Sequence, residues 1–122
     1  MGRKRTIALL SDNLELAETL QLDLEEEGYD VLRLVGLKED LKEIRDKGVD
    51  LLILDLDAPV WRVEFVKEVK RTRPIPVILL SSFEENLVRF FFSEIEVVKA
   101  FIKPFELEEF SNSIKSILDS RT

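Results

Sequence analysis

The sequence repeats one pattern five times, a short apolar run followed by a stretch whose apolar residues recur at helical spacing. The apolar runs, which we interpret as strands, cover residues 6–10, 29–35, 51–54, 76–80 and 98–102. Strands that alternate with helices over short connections predict a parallel sheet, because right-handed crossovers lay the helices over both of its faces. We therefore expect a doubly wound, five-stranded α/β fold in three layers, α/β/α, forming one domain over residues 1–122.

The five stretches that follow these runs carry the apolar stripe of amphipathic helices. Glycine at a helix C-cap predicts that the first two helices end at Gly28 and Gly48, and Pro74 ends the third. The apolar positions are Leu14, Ala17, Leu20 and Leu24, then Leu37, Leu41 and Ile44, then Phe65, Val66 and Val69, then Leu87, Val88, Phe91 and Ile95, and finally Leu107, Phe110, Ile114 and Ile117.

Two residue types that are common in enzyme sites are missing, since the chain contains neither histidine nor cysteine. Disulfides, zinc–thiolate sites and thiol nucleophiles are thereby excluded, so any chemistry must use carboxylates, hydroxyls and lysine. A net charge of -7 argues against general nucleic-acid binding. No apolar run has the length of a membrane span or a signal peptide, so we expect a cytoplasmic protein without a membrane partner.

Polar side chains stand where four of the predicted strands end, and the carboxyl ends of parallel strands share one edge of the sheet. They are Ser11 and Asp12, Asp55, Ser81 and Ser82, and Lys103. Asp12 and Asp55 would repel each other without a counterion, and we expect Mg²⁺, which binds one or two carboxylates plus water and phosphate oxygens. Asp55 would then attack a phosphoryl group, with Lys103 and a serine hydroxyl contacting its oxygens.

Each of these residues also has a plain structural interpretation. Asp55 and Asp57 are common turn formers at strand ends, Asp12 is a candidate helix N-cap, and Lys103 and Ser81 are ordinary strand-terminal residues. A dinucleotide site is disfavoured, because the first turn lacks glycine and carries a carboxylate that repels phosphate.

Three stretches make the chain recognisable: D-L-L-I-L-D-L-D-A-P at 50–59, P-V-I-L-L-S-S at 76–82 and F-I-K-P-F at 101–105. Together with an acid after the first strand, their order and spacing resemble the receiver domain of two-component response regulators, in particular stand-alone receivers similar to chemotaxis regulators. The resemblance covers essentially the whole chain. It implies the flavodoxin-like strand order 2-1-3-4-5 and a cis peptide bond before Pro104.

The same resemblance implies a role for each site residue. Asp55 is the expected phosphoacceptor, while Lys103 and the switch hydroxyl of Ser81 contact the phosphoryl group. Asp12 is the expected direct Mg²⁺ ligand, joined by Asp55 and by the backbone carbonyl of Asp57. No catalytic activity is expected beyond Mg-dependent self-phosphorylation and dephosphorylation.

The chain departs from the receiver pattern at three places. Receivers carry two adjacent acids after the first strand, and Ser11 replaces the first of them, which should weaken metal binding. An Asp-Gly pair in the loop after the third strand is replaced by Arg62-Val63. The aromatic switch position aligns with Ala100, whereas Phe101 is expected on the opposite face of the strand.

Phe90, Phe91 and Phe92 lie on the predicted fourth helix. They either pack in the core and at its edge or form an apolar docking surface, similar to the surface with which receivers meet their targets. The resemblance implies as partners a histidine kinase or phosphotransfer protein and a downstream protein target. It also implies a homodimer through the face of the predicted fourth helix and fifth strand.

The leading hypothesis is a phosphoacceptor receiver of two-component signal transduction, whose Mg-dependent phosphorylation on Asp55 alters a protein-partner surface. The alternative, which Ser11 motivates, is a pseudo-receiver that its partner recognises without phosphorylation. A flavodoxin-type cofactor binder or a small phosphatase is disfavoured, because the first turn lacks the donor-rich loop of such phosphate sites. The sequence is compatible both with a stand-alone protein and with a receiver that belongs to a longer regulator.

Overall fold

The structure is a computed structural model, and it describes residues 4–55, 57, 63–82 and 96–121. The strands are β1 Thr6–Leu10, β2 Asp30–Arg33, β3 Leu51–Asp55, β4 Val77–Ser81 and β5 Lys99–Ile102. The helices are α1 Leu14–Glu26, α2 Glu39–Asp46, α3 Val63–Thr72 and α4 Leu107–Asp119. The helix predicted around Leu87 to Ile95, with its three phenylalanines, lies outside the described residues, so α4 is the helix that was predicted last.

The strands form one parallel sheet in the order β2-β1-β3-β4-β5, which confirms the predicted fold class. At its centre β1 pairs with β3, Leu10 lying opposite Leu54. Farther out, Asp55 lies opposite Leu80 and Ser81 lies opposite Ile102. Because all five strands run in one direction, Asp55, Ser81 and the residue after Ile102 reach the same edge of the sheet.

Among the described residues, two helices cover each face of the sheet, because the central strands are apolar on both sides. One core cluster joins alternate residues of β1, β3 and β4 to α2 and α3, and it includes Leu52, Leu54 and Val66. The other cluster joins the intervening strand residues to α1 and α4, and it includes Ile53 and Phe110. This alternation produces the three predicted layers and holds the strand ends in fixed positions.

Both predicted glycine stops are present. Gly28 has a φ of 99° and Gly48 a φ of 62°, the left-handed conformation that glycine adopts without strain. Beyond α1 the N–H of Tyr29 donates to the carbonyl of Leu24, and beyond α2 the N–H of Val49 donates to the carbonyl of Ile44. These bonds satisfy carbonyls that the helix ends would otherwise leave open, so a local signal sets both helix ends.

Two interpretations of the sequence need correction at the start of α1. Asn13, not Asp12, caps α1, because the Asn13 side chain accepts a hydrogen bond from the N–H of Leu16. Leu14 is 68% exposed and does not join the core, since it begins the helix where the chain leaves the sheet. In α4, Ile117 is half-buried and packs against the core as predicted, and Leu118 beside it is fully buried.

The predicted strand bounds differ slightly from those in the structure. The second strand is shorter than predicted, Asp30–Arg33, and the fourth runs one residue later, Val77–Ser81. Within the described ranges no helix is long and apolar enough to cross a lipid bilayer.

Candidate functional site

The candidate site is built around Asp55, the last residue of β3, whose side chain is only 1% exposed. Its carboxylate accepts hydrogen bonds on both oxygens. Oδ1 accepts from Lys103 Nζ at 2.9 Å and from the backbone N–H of Asp57 at 2.9 Å, and Oδ2 accepts from the Ser11 hydroxyl at 2.9 Å. A buried carboxylate with this set of donors is fixed in one orientation at the edge of the sheet.

Lys103 enters the site directly after β5. Its Nζ lies 2.9 Å from Asp55 Oδ1 and 3.0 Å from Asp57 Oδ2, and its side chain is 19% exposed. The Lys103 backbone N–H donates to the carbonyl of Ser81 at 2.7 Å, so the lysine is held to the end of β4. The next peptide bond, Lys103–Pro104, is cis, as predicted.

Asp57 follows Asp55 by two residues, and its side chain, 24% exposed, turns toward β4. Its Oδ2 accepts from the Ser82 hydroxyl at 2.7 Å and from the Ser82 backbone N–H at 3.1 Å, in addition to Lys103. The Asp57 N–H also donates to Asp55 Oδ1, so the turn-former interpretation is correct for Asp55 but not for Asp57, whose carboxylate binds Ser82 and Lys103. Asp57 therefore joins the ends of β3, β4 and β5.

The ionisation of two site residues departs from the ordinary values. Burial acts to raise the pKa of Asp57, but the hydrogen bonds from Ser82 and Lys103 outweigh it, so this pKa is lowered. Burial acts to lower the pKa of Lys103, but the hydrogen bonds to Asp55 and Asp57 outweigh it, so this pKa is raised. Both groups are charged at neutral pH.

The remaining predicted residues lie at the same edge with different exposure. Ser81 is fully buried at the end of β4, and Ser11 is buried at the end of β1, where its oxygen also accepts from the N–H of Asn13. Asp12 is exposed beside Ser11. Since Asn13 is the cap of α1, the alternative interpretation of Asp12 as the helix N-cap is wrong.

The oxygen donors at this edge suit Mg²⁺, because that cation takes one or two carboxylates together with water and phosphate oxygens. The predicted ligands are the carboxylates of Asp12 and Asp55 and the backbone carbonyl of Asp57. Within the described part of the chain, no three acidic, histidine or cysteine side chains are grouped to hold a metal ion. Two carboxylates and a backbone oxygen do not require such a group, so these ligand assignments stay a prediction.

The sequence did not predict two contacts at this edge. The Ser11 hydroxyl binds Asp55 directly, although the sequence predicted only a loss of charge at position 11. The Asp57 carboxylate binds Lys103 and Ser82, although only its backbone had been assigned a role. The spacing of Asp55 and Asp57 is the one available signal, because residues two apart near a strand end tend to face the same way.

The strand order defines a flavodoxin-like, doubly wound α/β domain, and a buried strand-end aspartate paired to a lysine lies at its carboxyl edge. The fold is similar to that of a CheY-like response regulator receiver domain protein from Methanospirillum hungatei, with a TM-score of 0.83, 21% identity and coverage of 97% of this chain and 96% of that one. It is also similar to chemotaxis protein CheY4 of Vibrio cholerae, with a TM-score of 0.82, 20% identity and coverage of 94% and 99%.

The chain belongs to the response regulator receiver domain family, whose family model matches residues 7–115. It is 31% identical over 113 residues to a transcriptional regulatory protein CpxR homolog of Haemophilus influenzae, covering 92% of this chain and 49% of that protein. It is 27% identical over 116 residues to the alkaline phosphatase synthesis transcriptional regulatory protein PhoP of Bacillus subtilis, covering 93% and 48%. The chain thus spans about half the length of these curated relatives.

Proposed function

We propose that this receiver domain accepts a phosphoryl group on Asp55 in a Mg²⁺-dependent reaction, with a histidine kinase or a phosphotransfer protein as the donor. The observation that carries the proposal is the pairing of Asp55, buried at the end of β3, with Lys103 at 2.9 Å. Membership of the receiver family supports the same role, because receivers of two-component systems interact with histidine kinases or phosphotransfer proteins.

In the proposed reaction one carboxylate oxygen of Asp55 forms a bond to phosphorus as the bond to the donor atom breaks. The bonding electron pair leaves with the donor, and the product is an acyl phosphate. The Lys103 ammonium stands beside the reacting carboxylate, where it can contact a phosphoryl oxygen and stabilise its negative charge. A bound Mg²⁺, held by Asp12 and Asp55 with the Asp57 carbonyl, would supply positive charge that offsets repulsion between the carboxylates and the donor.

We infer that a protein partner binds the phosphorylated domain at β5, the edge strand of the sheet. Val98, just before this strand, and Ile102, at its end, are 42% and 45% exposed, and Ile102 directly precedes Lys103. An edge strand with exposed apolar side chains next to the reacting lysine is suited to bind a downstream target or a second copy of the chain.

Intact-mass spectrometry tests the proposal. The protein is incubated with acetyl phosphate and Mg²⁺, and we expect it to gain the mass of one phosphoryl group, which is absent in Asp55→Asn and after addition of EDTA. Asp46→Asn is the matched control, because Asp46 lies outside the site and pairs only with Lys42 and Arg45 among the described residues. No gain of mass in the parent protein would refute phosphotransfer and leave a module that binds its partner without phosphorylation.

A further inference from the structure

We propose that the side chain of Asp57 is a positioning residue that holds Lys103 over Asp55. This role differs from the backbone contact that the family resemblance implies at this position, and it rests on the proposed phosphoacceptor function of Asp55. The side chain of Asp57, unlike its backbone carbonyl, would act on phosphotransfer only through Lys103.

The first observation is that Lys103 is shared between two carboxylates. Its Nζ lies 2.9 Å from Asp55 Oδ1 and 3.0 Å from Asp57 Oδ2, which are both charge-assisted hydrogen bonds. A lysine side chain carries its ammonium group on a flexible four-carbon stem and loses much conformational freedom when it is held in one place. Two fixed acceptors restrict the ammonium group more closely than Asp55 alone would.

The second observation is that Asp57 is itself held firmly. Its Oδ2 accepts from the hydroxyl and the backbone N–H of Ser82, and its own N–H donates to Asp55. These contacts join the turn after β3 to the end of β4 and hold the carboxylate beside Lys103. Asp57 is therefore a fixed anchor for the lysine.

Phosphorylation changes the two anchors differently. When Asp55 becomes an acyl phosphate, the oxygen bonded to phosphorus loses its negative charge, and the ion pair between Asp55 and Lys103 is weakened. The carboxylate of Asp57 is not altered by this step. Because one N–H of the Lys103 ammonium group still donates to Asp57, Lys103 stays at the edge of the sheet. Its other N–H groups are then available to the phosphoryl oxygens.

The sign of the effect separates positioning from simple electrostatics. Asp57 is a negative charge close to an anionic phosphodonor, so its removal should by charge alone accelerate phosphorylation. If Asp57 positions Lys103, its removal should instead slow phosphorylation, because a misplaced catalytic group loses rate. Asp57→Asn keeps the size of the side chain and an oxygen that can accept from Ser82, so it tests the charge on Lys103 with little change in packing.

The first experiment observes Lys103 without phosphotransfer. In ¹H–¹⁵N spectra of lysine side chains, an ammonium group held by hydrogen bonds exchanges its protons slowly and gives a signal, which Lys103→Met identifies by its disappearance. We expect this signal in the parent protein, its loss or a lower order parameter in Asp57→Asn, and a smaller change in the same direction in Ser82→Ala. Asp46→Asn, the control used above, should leave it unchanged.

The second experiment measures phosphorylation of the same variants by acetyl phosphate and Mg²⁺, followed by intact mass. We expect the rate constant to fall about tenfold in Asp57→Asn, and to show no fall when Lys103 is already Met. A Lys103 signal that is absent in the parent or unchanged in Asp57→Asn, or phosphorylation of Asp57→Asn at least as fast as the parent, would overturn the inference. If the parent gains no mass, the proposed function fails, and the ammonium signal alone decides whether Asp57 holds Lys103.

Discussion

Replacing Ser11 by aspartate tests how the missing acid shapes the site. The Ser11 hydroxyl donates to Asp55 Oδ2 at 2.9 Å, and both side chains are buried. A carboxylate at position 11 removes this donor and sets a second negative charge against Asp55. We therefore expect Ser11→Asp to destabilise the metal-free protein and to strengthen its binding of Mg²⁺.

The magnitude follows from the contact. Two unit charges about 4 Å apart interact by about 4 kcal/mol at an effective dielectric constant near 20. Lys103, which is already paired with Asp55, and rotation of the new side chain toward solvent reduce this repulsion. Allowing for the lost hydroxyl hydrogen bond of about 1 kcal/mol, we expect the free energy of unfolding to fall by about 2–3 kcal/mol without divalent cations.

Urea unfolding with and without Mg²⁺ measures both effects. A ligand that binds only the folded state raises its stability, so the gain on adding Mg²⁺ reports affinity. We expect this gain to correspond to about thirtyfold tighter binding in Ser11→Asp than in the parent, which is about 2 kcal/mol. Ser11→Ala is the control, since it loses the hydrogen bond without adding charge, and it should cost about 1 kcal/mol and leave Mg²⁺ binding almost unchanged.

Two results would refute this reasoning. Ser11→Asp could be as stable as the parent protein in EDTA, which would mean that the new carboxylate does not face Asp55. Alternatively, Mg²⁺ could stabilise Ser11→Asp no more than the parent, which would mean that position 11 does not act on a metal site at all.

Three further predictions concern the scaffold. Asp40 is 5% exposed and accepts hydrogen bonds from three consecutive backbone N–H groups of the loop before α2. Asp40→Ala should therefore lower the free energy of unfolding, measured in urea, by about 3 kcal/mol. A loss below about 1 kcal/mol would contradict this role. Tyr29, the single tyrosine, has a pKa raised above 10.0 by burial and then by Asp119. An absorbance titration should give a midpoint above 10.0 for Tyr29 and a lower midpoint in Asp119→Asn, and an equal midpoint in both proteins would argue against the Asp119 effect. Because the folded state binds the Tyr29 proton more tightly than the unfolded state, the stability that Tyr29 contributes should be complete below pH 10.0 and should decrease as pH rises through the raised pKa. Phe110→Ala should cost about 3–5 kcal/mol, whereas Leu14→Ala should change stability by no more than about 0.5 kcal/mol, and equal losses in urea would contradict the burial that separates them.

The fold was predictable because its signals are local. The runs at 51–54 and 76–80 are apolar on both faces, and Gly28 and Gly48 end helices through a backbone conformation that glycine adopts easily. The N-cap of α1 was less predictable, because Ser11, Asp12 and Asn13 are all polar and only the path of the turn decides which side chain meets the free N–H groups.

The meeting of Asp55 and Lys103 was predictable, whereas the other contacts at this edge were less so. A parallel sheet brings its strand ends to one edge, so Asp55 and Lys103 were expected to meet, and they do at 2.9 Å. The pairing of Asp57 with Ser82 could not be derived in the same way, because it depends on the rotation of two side chains in the turns beyond the strands.

The order of residues by itself thus determined a doubly wound sheet and the set of polar groups at its carboxyl edge, since alternation of apolar patterns is readable along the chain. Only the tertiary structure decided that Lys103 donates hydrogen bonds to two carboxylates and that Ser11 donates to Asp55. Asp55 lies 44 residues from Ser11 and 48 from Lys103, and no local preference relates residues so far apart. Their contact is created by the packing that brings β1, β3 and β5 into one sheet.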